Sequence, residues 1–203
     1  MCIESISHII VGVIFFFLIL VQLTLFMQQF LFKSIMLVTL IVGCGKTKTQ
    51  LANDIYQCFP EKVFLFRHAE KQKIRGENNP ELTKKGFLRA NALASFLSKE
   101  QPGIVFSSEY ARTQQTANPI ANAWDVDINI HAAKDPQGQI DKVLKLCSKN
   151  VIIVGHSNTI PGLLKLLGIN NEIVIDDEQY GDLFTISWNQ GKVQMSIEQI
   201  EVE

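Results

Sequence analysis

The sequence predicts an α/β fold: a layered domain built on a mainly parallel sheet. Two patterns carry that expectation. From Lys62 onward, short runs of consecutive apolar residues alternate with longer segments whose apolar residues recur at helical spacing. The connections between these segments are short, which leaves little room for a lid or cap domain.

Taken in order, Val63-Phe64-Leu65-Phe66 is apolar at every position, as a strand buried on both faces should be. Thr83-Lys84-Lys85-Gly86 opens a helical stretch whose apolar residues Phe87, Ala90, Leu93, Ala94 and Leu97 recur at helical spacing. Ile104-Val105-Phe106 is a second strand, and Ser107-Ser108 are placed to cap a helix running through Tyr110, Thr113, Ala117 and Ile120. Asp127 to Ile130 is a third strand. The turn residues Asp135-Pro136-Gln137-Gly138 precede an amphipathic helix through Ile140, Val143, Leu144 and Cys147. Val151-Ile152-Ile153-Val154 is the clearest strand, and Gly155-His156-Ser157-Asn158 leads from it into a helix over Ile160 to Leu167. Asp182 to Trp188 and Lys192 to Ile200, joined by Asn189-Gln190-Gly191, close the chain as an antiparallel hairpin.

Ahead of the domain the chain is far more apolar. Ile9 to Met27 is long enough to cross a bilayer as a helix. A second run, Ile35 to Val42, is too short to cross and leads into Gly43-Cys44, with Lys33 before it. A basic residue, a short apolar run and a small residue ahead of a cysteine resemble a bacterial lipoprotein signal peptide, with Cys44 as the acylated thiol. Counting from Met27 gives a signal of conventional proportions, whereas counting from Met1 puts Glu4 where a positive flank is expected. Residues 1–26 then read as an upstream extension, with a transmembrane helix over 9–27 as the alternative. The expected organisation is an apolar segment at 1–43 (signal about 27–43), a tether at 44–61 and a domain at 62–203. Such a chain is anchored to a membrane and faces outward, into the periplasm or the extracellular space. Gly45-Lys46-Thr47 imitates the end of a nucleotide-binding P-loop, but Leu40 stands where that motif needs glycine.

A formal net charge of -1 over 203 residues gives no bulk field for nucleic acid, so an anion site must be built from a few local cations. The four cysteines, Cys2, Cys44, Cys58 and Cys147, show no CxxC pair and no histidines at ligand spacing, so no metal site is expected. An outward location permits a disulfide between Cys58 and Cys147, although nothing in the sequence brings the two together.

Three strand ends carry polar residues directly after an apolar run: Arg67-His68, Ser107 to Arg112, and Gly155-His156. Ligands of open α/β sheets bind outside the carboxyl ends of the strands, so these groups form one candidate pocket. Two arginines and two histidines suit a phosphoryl group, since the guanidinium fork matches phosphate oxygens.

Phe66-Arg67-His68-Ala69-Glu70-Lys71 resembles the Arg-His-Gly/Ala signature of the histidine phosphatase superfamily, which includes the cofactor-dependent phosphoglycerate mutases. Leu82-Thr83-Lys84-Lys85-Gly86 with Arg89-Ala90 is similar to that family's LTxxGxxQA segment, with arginine where glutamine is usual. Ser107 to Ala117 resembles its second-arginine motif, and Val154-Gly155-His156-Ser157-Asn158 its second-histidine motif. The resemblance covers about residues 62–187. It implies a phosphoglycerate mutase-like three-layer α/β/α sandwich, with His68 as nucleophile and Arg67, Arg112 and His156 around the transferred phosphoryl group. Lys71, Ser157 and Asn158 are further candidates to touch phosphate. Each role is chemically coherent: a neutral imidazole attacks phosphorus once its other nitrogen is held by an acceptor, and flanking cations stabilise the equatorial oxygens without metal or cofactor.

The general acid for the leaving oxygen is less well marked. Mutase-like members place a glutamate after the second-arginine helix, but His131-Ala132-Ala133-Lys134-Asp135-Pro136 contains none. Asp135 is the nearest acid, with Glu70, Glu109 and Asp182 as alternatives. A leaving group that needs little acid help, such as a phosphoramidate nitrogen, is the other possibility, and the family's compact members include protein phosphohistidine phosphatases. The sequence therefore points to a small phosphatase acting on a phosphorylated small molecule or a phosphohistidine protein, through a phosphohistidine on His68. A mutase-type phosphoryl transferase and a non-catalytic phospholigand-binding module are the alternatives.

Overall fold

In the computed structural model, which describes residues 58–170 and 172–202, the chain alternates strand and helix as the sequence pattern requires. The expectations for the apolar segment, for lipidation at Cys44 and for most of the tether fall on residues outside that range. The elements are β1 (Lys62–Arg67), α1 (Lys84–Leu97), β2 (Ile104–Ser107), α2 (Ala111–Trp124), β3 (Ile128–Ile130), α3 (Pro136–Val143), β4 (Asn150–Gly155), α4 (Ile160–Leu166), β5 (Asp182–Asn189) and β6 (Lys192–Gln199). They form a single six-stranded sheet in the order β3-β2-β4-β1-β5-β6. Strands β3, β2, β4 and β1 are mutually parallel, while β5 runs antiparallel to β1 and β6 antiparallel to β5. The fold is thus a mixed α/β sheet, mostly parallel, with an antiparallel hairpin at one edge.

Strand periodicity divides the core between two faces. Phe64, Phe66, Val105, Ile152 and Val154 point to one side, where Leu93 and Leu97 of α1 and Ile120 and Trp124 of α2 cover them. Val63, Leu65, Phe106, Val151 and Ile153 point to the other, under Ile140 and Val143 of α3 and Leu163 and Leu164 of α4. Burial on both faces is why β4 is apolar from Val151 to Val154. Full burial of Phe64 or Phe66 contributes roughly 2–3 kcal/mol each.

Thr83 caps α1 by accepting a hydrogen bond from the Gly86 N–H at 3.1 Å. Two expectations need correcting. The Asp135-Pro136-Gln137-Gly138 segment is not a turn ahead of α3 but its first turn: Asp135 is the N-cap, accepting from Gly138 N–H at 2.9 Å, and Pro136 takes the first helical position. The helix consequently ends at Val143, short of Cys147. Ser107 and Ser108 do not cap α2; its N-cap is Tyr110, which makes no side-chain capping bond, and Ser108 is committed to the site described below.

The last residues of the expected tether belong to the domain. Ser148 N–H donates to Phe59 O and Glu61 N–H to Lys149 O, both at 2.9 Å, which continues the β1–β4 pairing backward. The Phe59 ring stacks on Trp188 at 5.1 Å, and Cys58 is disulfide-bonded to Cys147.

Candidate active site

Because β2, β4 and β1 lie side by side and run parallel, their carboxyl ends open onto one place. Arg67, the last residue of β1, is level with Gly155, the last of β4, and His68 N–H donates to Gly155 O at 2.9 Å. The two histidines that follow these strands meet edge to face, with ring centroids 5.3 Å apart. A pocket of about 370 Å³ opens over them. Arg67, His68, Lys71, Arg112, His156, Ser157 and Asn158 all line it.

Each imidazole has one nitrogen committed. His68 Nδ1 lies 2.8 Å from the carbonyl oxygen of Ala69, which can only accept, so Nδ1 carries the proton and Nε2 keeps its lone pair. His156 Nε2 lies 2.9 Å from Ser108 Oγ, and Ser108 Oγ lies 2.8 Å from Thr113 Oγ1. Thr113 Oγ1 in turn donates to Tyr110 O at 2.7 Å. That last carbonyl polarises the chain: Thr113 accepts from Ser108, and Ser108 accepts from His156 Nε2–H. His156 Nδ1 is left as the acceptor that faces Arg112 Nη2 at 3.4 Å.

Both rings are neutral near pH 7. Burial pushes His68 down to about 3, against the pull of the Ala69 carbonyl and with the help of charge on His156, Arg112 and Arg67. Burial, with Arg112 and Arg67 and in spite of Glu109, pushes His156 down to about 4.

The two arginines are each backed by a tyrosine that sequence reasoning did not single out. Arg112 Cζ lies 4.4 Å above the Tyr110 ring, whose edge also meets His156 at 5.1 Å. Arg67 Cζ lies 4.3 Å above Tyr180, which sits 6.2 Å from His68. Tyr110 was visible inside the second-arginine motif, two residues ahead of Arg112. Tyr180 had no such signal, since it arrives on the connection between α4 and β5. That same connection holds Arg67: Nη1 donates to Asp176 O and Gln179 O at 2.7 Å, and Nη2 to Asp177 O at 2.9 Å. Of the two N–H groups Arg67 has left, one on Nη2 and one on Nε, the Nε–H is buried with no hydrogen-bond partner, and Arg112 Nε–H is buried without one as well.

The candidate acids are placed less favourably. Asp135 does not line the pocket; it caps α3, and its own backbone carbonyl accepts from His131 Nε2 at 2.7 Å. Glu70 points away into an ion pair with Arg89. Glu109 Oε2 accepts from Ala133 N–H at 2.9 Å; burial pushes its carboxyl up, but that bond, its own N–H and nearby His156 and Lys134 hold it below the usual range. Asp182 begins β5 and accepts a hydrogen bond from Gln179. The carboxylate that does reach the pocket is Asp177, at the mouth, with 94% of its side chain in solvent. Lys134 also lines the pocket, and no motif in the sequence marks it.

Residues 63–133 match the model of the histidine phosphatase superfamily, branch 1. Over 72 residues the chain is 35% identical to phosphoserine phosphatase 1 of Hydrogenobacter thermophilus, a stretch covering 33% of this chain and 34% of that protein. The fold is shared with a putative phosphohistidine phosphatase, SixA, from Agrobacterium tumefaciens, at TM-score 0.52 and 22% identity, over 67% of this chain and 98% of that one. It is shared also with a mycobacterial glucosyl-3-phosphoglycerate phosphatase, at TM-score 0.55 and 13% identity, over 68% and 95%. A phosphoserine phosphatase from Entamoeba histolytica gives TM-score 0.54 and 19% identity, over 71% and 98%.

Proposed function

The chain belongs to the histidine phosphatase superfamily, and on that footing we propose that it is a phosphatase that hydrolyses a phosphomonoester or phosphoramidate through a phosphohistidine on His68. The observation that carries this reading is the pair of unpartnered, buried guanidinium Nε–H groups, on Arg67 and Arg112, beside an imidazole whose Nδ1 is already committed. A buried donor without a partner costs free energy, roughly 1–3 kcal/mol for an ordinary group and more for a charged one, and an anionic ligand relieves it. A phosphoryl group meets both requirements of the pocket at once: its oxygens are acceptors for the arginines and its phosphorus is an electrophile for Nε2.

In the reaction so read, the Nε2 lone pair of His68 attacks phosphorus while Nδ1–H stays on Ala69 O, so no base is needed to free the nucleophile. Arg67 and Arg112 take up charge on the equatorial oxygens. The bond from phosphorus to the leaving atom breaks with its electron pair on that atom. Water then attacks the phosphohistidine, releasing phosphate with the water's protons distributed between phosphate and solvent, and His68 returns to its starting state. Side-chain cations meet the phosphoryl charge, so the reading requires no metal. The anchor is part of the same proposal: a lipid on Cys44, or a helix over 9–27, would hold the enzyme to a membrane with its domain outside the cytoplasm, and a Cys58–Cys147 disulfide suits an oxidising compartment.

The test is direct. Full-length protein mixed with p-nitrophenyl phosphate and quenched without acid should carry one phosphate on His68 by mass spectrometry, and His68→Ala should abolish both adduct and turnover. Full turnover by His68→Ala would sink the proposal.

A further inference from the structure

The wall of the pocket beyond the two imidazoles is the loop after β3, and it is a built structure rather than a loose one. His131 N–H donates to Ser107 O at 2.9 Å, Asp135 N–H to Ala132 O at 3.0 Å and His131 Nε2–H to Asp135 O at 2.7 Å. Glu109 grips Ala133 N–H from the other side at 2.9 Å. This braced loop presents Ala133 and Lys134 to the pocket, and the β1 side of the mouth presents Lys71. Among the described residues neither lysine forms an ion pair.

Two chemical facts about the pocket follow. It holds no buried carboxylic acid, since its one lining carboxylate, Asp177, stands in water 4.0 Å from Arg67 Nη2. An acid that protonates a leaving oxygen near neutrality is ordinarily a carboxyl whose pKa is raised by burial. Further, the cations outnumber the charge of one phosphoryl group: beyond Arg67 and Arg112 lie two unpaired ammonium groups. A departing alkoxide suits neither fact, because it is strongly basic and needs a proton. A departing imidazole from phosphohistidine suits the first alone, because it brings no negative charge to the lysines.

We propose that the preferred substrate is a phosphoanhydride, the terminal phosphoryl group of a diphosphate or triphosphate, with Lys134 and Lys71 holding the phosphate that departs. This rests on the reading of His68 as nucleophile and adds the leaving group to it. Nε2 forms its bond to the terminal phosphorus as the bond from that phosphorus to the bridging oxygen breaks. The electron pair stays on the bridging oxygen, which leaves as part of a phosphate of low basicity and needs no proton. Lys134 and Lys71 neutralise the charge that appears there.

The experiment compares inorganic pyrophosphate, ADP, ethyl phosphate and p-nitrophenyl phosphate with the full-length protein, wild type and Lys134→Met. Wild type should favour pyrophosphate or ADP over ethyl phosphate in kcat/KM on the order of a hundredfold, the scale of a missing general acid. Lys134→Met should lose about tenfold more on pyrophosphate than on p-nitrophenyl phosphate, the scale of one charged hydrogen bond. Equal rates on ethyl phosphate and pyrophosphate in wild type overturn the inference, whatever the variant does, as does an equal loss on both probes in Lys134→Met. If p-nitrophenyl phosphate phosphorylates His68 but pyrophosphate is not favoured, the anhydride inference alone fails. If no probe phosphorylates His68, the phosphatase reading fails with it.

Discussion

Arg89 holds Glu70 through three hydrogen bonds, Nε to both carboxylate oxygens at 3.1 and 3.0 Å and Nη2 to Oε1 at 2.7 Å. Its remaining arm donates to the carbonyl of Ile200. One buried guanidinium thereby ties α1, the loop that follows His68, and the end of β6. Glu70 is further fixed through its backbone, whose carbonyl accepts from Thr83 N–H at 2.8 Å. Burial pushes the Glu70 carboxyl up, but the Arg89 bonds, its own N–H and the charges of Arg89 and Lys85 outweigh that and hold it below the usual carboxylate range. Arginine at this position, where a glutamine is usual in similar sequences, is thus matched to a carboxylate partner two residues from His68.

Arg89→Ala should therefore cost about 3–5 kcal/mol of stability, because it strands a largely buried carboxylate and a backbone carbonyl. Arg89→Lys should recover only part of this, since a single ammonium cannot reach both partners as the fork does. Urea unfolding of the three proteins at neutral pH decides it: a lysine variant as stable as wild type would mean that charge alone matters there.

Acid should destabilise this domain earlier than its carboxylates alone require. The ordinary imidazole value of 6.5 applies to the unfolded chain, whereas the folded His68 and His156 stand at about 3 and about 4. Between those values the unfolded state binds protons that the folded state refuses. Stability is then complete above 6.5 and falls as pH drops toward 4, by up to roughly 1.4 kcal/mol per pH unit for each ring. Glu70 and Glu109, held low in the fold, add a further loss in the same direction as pH falls through the carboxylate range. Urea midpoints at several pH values should show the decline starting near 6.5. In parallel, the ring signals of His68 and His156 should not move between about pH 8 and pH 5 in the free protein.

Ser108→Ala removes the acceptor from His156 Nε2–H, and with it the reason for His156 to hold one tautomer. Nitrogen NMR of the free protein should show Nε2 protonated in wild type and a tautomer mixture in the variant. A loss of about tenfold in kcat/KM on p-nitrophenyl phosphate should accompany it, on the scale of one misdirected hydrogen bond to a charged intermediate. Lost activity with an unchanged tautomer would mean that Ser108 acts through packing instead.

Much of this was legible in the sequence because the central strands β1 and β4 are buried on both faces. Val63 to Phe66 and Val151 to Val154 could be read as strands at once, and the carboxyl ends of those strands are where Arg67, His68 and His156 stand. The sequence alone does not place the α3 start, because Asp, Pro and Gly mark both a turn and the capped first turn of a helix. A helix cap is the local use of serine, whereas the imidazole that Ser108 meets is 48 residues away and leaves no local mark. Tyr180, Asp177 and the carbonyls around Arg67 were illegible for a different reason. They come from an irregular connection, where position is set by tertiary packing and no periodicity exists to read.

Cys58 and Cys147 are likewise distant in sequence, 89 residues apart, and are joined because β1 and β4 are neighbours. Their disulfide sits just before the amino ends of both strands, and the pocket lies beyond the carboxyl ends, at the opposite pole of the sheet. The bond should therefore govern stability and spare chemistry. Closing a loop of this length is worth about 4.6 kcal/mol in the chain-entropy account, so Cys147→Ser or full reduction should lower the unfolding free energy by that order. Turnover of p-nitrophenyl phosphate at moderate temperature should stay within about twofold of wild type, because the variant remains mostly folded. Thiol alkylation of protein isolated without reductant should leave Cys58 and Cys147 unmodified until reductant is added. Ready labelling of both in the native, unreduced protein would show that the staple does not form in the cell and would remove the support it lends to an oxidising location.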